Sequence, residues 1–139
     1  MRLCRYFVPV LLLLPAGCGK SNYAPVSGRI TMNGKPLANA AVVFSPIPDI
    51  GSSSAGPGSG ATTDADGRYT LLITGTTTRG AVIGKHKVQV TLIDDRDSAD
   101  DSPHKFKQLP PKYSGKNTVL EFEVQRGGST SADFDLNIK

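Results

Sequence analysis

Apolar residues in this chain recur at every second position, in short runs that each stop at a turn signal, and that pattern confines it to strands. From Val26 onward, Val26, Gly28, Ile30 and Met32 fall on one side and Ser27, Arg29 and Thr31 on the other, as in a strand with one buried face. Asn33-Gly34 follows at once. Both residue types accept the positive φ that a two-residue hairpin turn requires. A second strand is expected at Ala41 to Phe44. Ala61 to Thr63 and Tyr69 to Ile73 flank Asp64-Ala65-Asp66-Gly67-Arg68, which predicts another hairpin. Lys85 to Ile93 places Val88, Val90 and Leu92 on one face and Lys87, Gln89 and Thr91 on the other, and predicts the longest strand. Leu120, Phe122 and Val124, a Gly127-Gly128 turn, and Ala132, Phe134, Leu136 and Ile138 predict a closing hairpin.

Fifteen Gly and ten Pro among 139 residues punctuate the chain too densely for long helices, so an all-α fold is excluded. The length suits one domain with one core. About seven short strands separated by turns predict an all-β fold, a seven-stranded antiparallel two-sheet β-sandwich. Two stretches interrupt the alternation. Eleven of the fifteen residues from 46 to 60 are Pro, Gly or Ser, which predicts a surface loop without chemistry. Residues 94–117 are bipolar: five Asp between Asp94 and Asp101, then Lys105, Lys107, Lys112 and Lys116.

The N-terminus carries a different kind of information. Arg2 and Arg5 precede an apolar run from Tyr6 to Leu14, and Pro15-Ala16-Gly17-Cys18-Gly19 follows. As a helix that run rises about 14 Å, half of a ~30 Å hydrocarbon core, so it is too short to span and reads as a signal peptide. Ala16-Gly17-Cys18 resembles the lipobox of bacterial lipoproteins. That resemblance implies diacylglyceryl transfer to the Cys18 thiol and cleavage before it, although Pro15 stands where the pattern prefers an aliphatic residue. The expected organisation is a signal peptide at 1–17, a lipidated tether at 18–23 and a domain at 24–139. Gly19 after the cysteine resembles the signal for release to the outer membrane, so a bacterial cell-envelope location is expected, at the outer membrane or the periplasmic face. Cys4 leaves with the signal peptide, and the mature chain has no internal disulfide. Two or three acyl chains anchor a protein durably where one does not.

Val26-Ser27-Gly28-Arg29-Ile30, Asn33-Gly34-Lys35-Pro36-Leu37-Ala38-Asn39-Ala40, Val42-Val43-Phe44 and Thr63-Asp64-Ala65-Asp66-Gly67-Arg68-Tyr69 together resemble the carboxypeptidase regulatory-like family. This is a transthyretin-like, or prealbumin-like, β-sandwich. Gly84-Lys85-His86-Lys87-Val88 and Pro111-Lys112-Tyr113 are similar to short bacterial lipoproteins that carry this domain alone. The resemblance covers nearly all of the mature chain and implies a Greek-key sandwich. It implies a fold more than a function, because its motifs form turns and close strand contacts and supply no catalytic group.

Candidate chemistry is sparse. Asp64-Ala65-Asp66-Gly67 begins like a calcium loop, but Gly75 stands at position twelve, where an EF-hand needs a bidentate Glu. Asp94, Asp95, Asp97, Asp100 and Asp101 could surround a hard cation, or form a solvated loop, which the composition favours. His86 and His104 are the only histidines and share no metal-site spacing with another ligand, so no metal or cofactor is expected. His86 is in phase with Val88 and Val90, which predicts a satisfied inward side chain or a strand-end residue. Hydroxyisourate hydrolases resemble transthyretin and use a C-terminal Tyr-Arg-Gly-Ser segment, whereas this chain ends Asp135-Leu136-Asn137-Ile138-Lys139. No nucleophile elbow, P-loop or His-Glu-x-x-His pattern occurs, so neither a catalytic residue nor an enzymatic activity is expected. The formal net charge of +4 falls by two when Arg2 and Arg5 leave, too even a balance for nucleic-acid binding.

Two classes of function remain. The first is a non-catalytic, lipid-anchored envelope module, structural or binding an unidentified envelope protein, whose membrane contact is acylated Cys18. The second is an envelope ligand-binding module, for polysaccharide or calcium, using Tyr113, Tyr69 or the Asp94 to Asp101 loop. Sugar binding needs aromatic rings exposed together. The strand phasing instead turns Tyr69 inward and makes Tyr113 a plug at one end of the core.

Overall fold

A computed structural model describes residues 21–93 and 109–138. The chain is all-β, with strands β1 (Tyr23–Ala24), β2 (Ser27–Met32), β3 (Lys35–Pro36), β4 (Ala40–Pro46), β5 (Ser59–Thr62), β6 (Arg68–Thr70), β7 (Leu72–Ile73), β8 (Ala81–Val82) and β9 (Gly84–Leu92). A one-turn helix, α1 (Pro111–Ser114), precedes β10 (Glu121–Val124) and β11 (Phe134–Leu136). Among the described residues no helix is long and apolar enough to cross a membrane. One sheet has the order β10-β9-β4-β5-β7. A second places β11 on one side of β2, with β3 and β6 on the other, and β1 pairs with β8 separately.

Period-two patterning does what it predicts. On β4, Ala40, Val42 and Phe44 are buried and Val43 is not; on β9, His86, Val88 and Val90 are buried between outward Lys87 and Gln89. β9 is the longest strand, and all seven residues of β4 pair with it. Phe44 sits where the two sheets meet. Its ring lies 5.8 to 6.4 Å, centroid to centroid, from Tyr69 on β6, His86 on β9, Phe122 on β10 and Phe134 on β11. The Asn33-Gly34 turn forms as expected, with φ of 49° and 80° and Met32 opposite Lys35.

Three expectations need correction. The closing hairpin does not form: β10 pairs with β9, and β11 pairs with β2. After the Gly128 turn, Ser129 and Ala132 exchange backbone hydrogen bonds with Pro25 and Ser27, which carries the chain across to the second sheet. Secondly, β11 runs parallel to β2, so the sheets are not wholly antiparallel. Thirdly, the Asp64–Arg68 turn closes as expected, through Asp64 N–H to Arg68 O at 2.9 Å, and β5 and β7 pair antiparallel across it, but the ladder is interrupted between them. β6 pairs with β2 while β7 pairs with β5, because the chain changes sheets around buried Leu71.

The topology gives the domain two ends. β5 and β9 run from one end to the other, while β4 and β10 run back, and β2 runs with β5 because both are antiparallel to the consecutive strands β6 and β7. Asn22, the 47–58 connection and Gly84 lie at the first end, which receives the N-terminal segment. The Asn33-Gly34 turn, Asn39 and Ile93 lie at the other, where Ile93 N–H donates to Asn39 O.

Candidate functional site

The aromatic residues offered for ligand binding are buried and engaged. Tyr69 is 4% exposed and its hydroxyl donates to Ala132 O at 2.5 Å. Burial, and then the Asp133 carboxylate, push its pKa far upward, so the hydroxyl stays a donor at physiological pH. Tyr113, on α1, is 6% exposed. Its hydroxyl donates to Asn137 O and accepts from Asn137 N–H at 3.3 and 3.1 Å, as expected of a residue that closes one end of the core. Neither ring offers a stacking face to a sugar. Cys18, His104 and the Asp94 to Asp101 loop lie outside the described residues.

Asp64, Asp133 and Asp135 are committed to the fold. Asp64 Oδ1 accepts from the backbone N–H groups of Asp66 and Arg68, which holds the turn. Asp133 Oδ1 accepts from Arg29 N–H, and Asp135 Oδ1 from the Thr31 hydroxyl and Gly34 N–H. Among the described residues no three His, Cys, Asp or Glu side chains gather as a metal would require. His86 is fully buried, as expected, but it is not fully satisfied. Its Nδ1–H donates to Gly84 O at 3.0 Å, which leaves Nε2 as the lone-pair nitrogen, buried with no partner among the described residues. Burial lowers its pKa below the ordinary imidazole value, opposed in part by that hydrogen bond. The Phe44 ring packs 5.8 Å from that of His86, whose cross-strand partner on β10 is Phe122.

The feature that sequence reasoning missed is a cleft of about 860 Å³ at the end where the N-terminal segment joins the domain. Asn22, Tyr23, Ile47, Ile50, Lys85 and Arg126 are among its walls. Residues 47–57, expected to carry no chemistry, form much of one side. The signal was Ile47-Pro48-Asp49-Ile50, two large apolar residues in a stretch otherwise made of Gly, Ser and Pro. Lys85 and Arg126 are balanced by Asp49 and Glu123, which gives the cleft mixed character without a dominant charge. Comparison with protein-family models, with curated proteins and with solved structures finds no match.

Proposed function

We propose that the chain is a lipid-anchored protein of the bacterial cell envelope, held by acylated Cys18, whose β-domain is a non-catalytic structural or protein-interaction module. In this reading the two sheets form a Greek-key sandwich of the carboxypeptidase regulatory-like type. The Phe44 cluster, which draws rings from both sheets, supports that packing. The observation that carries the functional reading is the order of basic, apolar and small residues ending at Cys18, only five positions before the first strand at Tyr23. The polar side chains of the domain favour a non-catalytic role: Asp64, Asp133, Asp135, Tyr69 and Tyr113 hold turns and strands. Fractionation of bacteria producing the wild type beside Cys18→Ser tests the anchor. The wild type is expected in membranes and the variant in the soluble fraction; equal distribution of the two refutes anchoring through Cys18.

The cleft is the one observation that favours the second reading, a binding module for an envelope ligand. A ligand that binds only the folded state raises the melting temperature with its concentration. Calcium and soluble cell-wall polysaccharide are therefore expected to leave the melt of the intact protein unmoved, and a saturable rise with either one would favour the second reading.

A further inference from the structure

The end of the domain that receives the N-terminal segment carries the most exposed large apolar side chain among the described residues. Ile50 is 109% exposed, at the tip of the connection between β4 and β5, and Tyr23 beside it is 38% exposed. A lone solvated isoleucine is ordinary on a protein surface. Its position is the informative part. Ile50 lines the same cleft as Asn22, and Asn22 stands four positions after Cys18. Four residue steps span at most about 14 Å when fully extended. An acylated Cys18 therefore fixes this end of the domain within reach of the bilayer, whatever path those residues take.

We propose that this end faces the lipid surface and that Ile50 inserts at the membrane interface, orienting the domain with the Asn33-Gly34 end outward. The proposal rests on the anchored reading. A single isoleucine is too small to hold a free protein on a bilayer, but the anchor makes its insertion an intramolecular event at high effective concentration. The four charges that line the cleft, Lys85 and Arg126 with Asp49 and Glu123, cancel, and an apolar side chain needs no anionic lipid to insert, so the contact forms on a neutral bilayer.

The chain contains no Trp, so one introduced residue reports its own surroundings. Full-length acylated protein with Ser53→Trp, on the same exposed connection, is reconstituted in phosphatidylcholine and phosphatidylethanolamine vesicles with brominated acyl chains. Flotation with the vesicles reads the anchor, and quenching reads the orientation. The protein is expected to float, with the fluorescence of the Ser53→Trp variant quenched roughly twofold or more relative to Lys35→Trp at the opposite end, and with that quenching lost when Ile50→Asp is added. Floating protein with equal quenching at both reporters, or quenching indifferent to Ile50→Asp, overturns the insertion while leaving the anchor standing. Protein that fails to float overturns both. Ile50, Ser53 and Lys35 are all solvated, and unchanged circular dichroism shows that the variants fold.

Discussion

Gly28 shows how a single position can be fixed by its neighbour. A β-carbon built there would lie 2.0 Å from the carbonyl oxygen of Ala132, and a backbone atom in a packed strand cannot step aside. Gly28→Ala is therefore expected to cost about 2–4 kcal/mol in urea unfolding. Gly34→Ala, at φ 80° with open space around it, is expected to cost only about 1 kcal/mol. Equal costs would contradict this account of Gly28. The sequence alone marks Gly28 as a place of close approach, because it occupies an inward position of an alternating strand; Ala132 as the partner is invisible from 104 residues away. His86 offers a second test. Its pKa is lowered from 6.5, so the unfolded chain takes up a proton first as pH falls. Stability is full above the unfolded value and declines as pH drops below it. Urea melts on either side of that pH are expected to show the loss in the wild type and a smaller loss in His86→Phe. An identical decline in both would remove His86 as its cause.

At the scale of elements, what is legible is what a strand and its adjoining turn decide between them. The β2–β3 hairpin is readable because Asn33-Gly34 supplies both backbone angles locally. The partners of β10 and β11 are not. Both alternate apolar and polar residues and flank a Gly-Gly turn, so local pattern permits a hairpin; what separates them is the bonding of Ser129 and Ala132 to Pro25 and Ser27. The cleft escaped reading for a similar reason, since its walls come from segments distant in sequence. The C-terminal strand depends further on α1. Tyr113→Phe removes both hydrogen bonds to Asn137 and is expected to cost about 1–2 kcal/mol. Hydrogen exchange should show faster exchange at the Asn137 amide while β4 and β9 keep their protection; an unchanged rate at Asn137 would mean that the Tyr113 hydroxyl does not hold the strand.

For the whole molecule, Phe44 joins the sheets into one cooperative unit, since its neighbours come from β6, β9, β10 and β11. Phe44→Ala is expected to cost about 3–5 kcal/mol, a large share of an ordinary domain's stability. Both sheets should lose exchange protection together, and loss confined to one would contradict a shared core. The all-β class was legible because alternation and turns act locally, whereas the two-ended arrangement exists only once the strand directions are known. That arrangement gives the proposed anchor its meaning, because it separates the end where Asn22 lies from the end that carries Asn33-Gly34 and Ile93. Everything in the proposed function hangs on Cys18, so the intact mass of the mature protein purified from a bacterium is the most direct test. The account predicts a chain beginning at Cys18 with added acyl mass, both absent from Cys18→Ser; an unmodified chain, or one cleaved elsewhere, would contradict it.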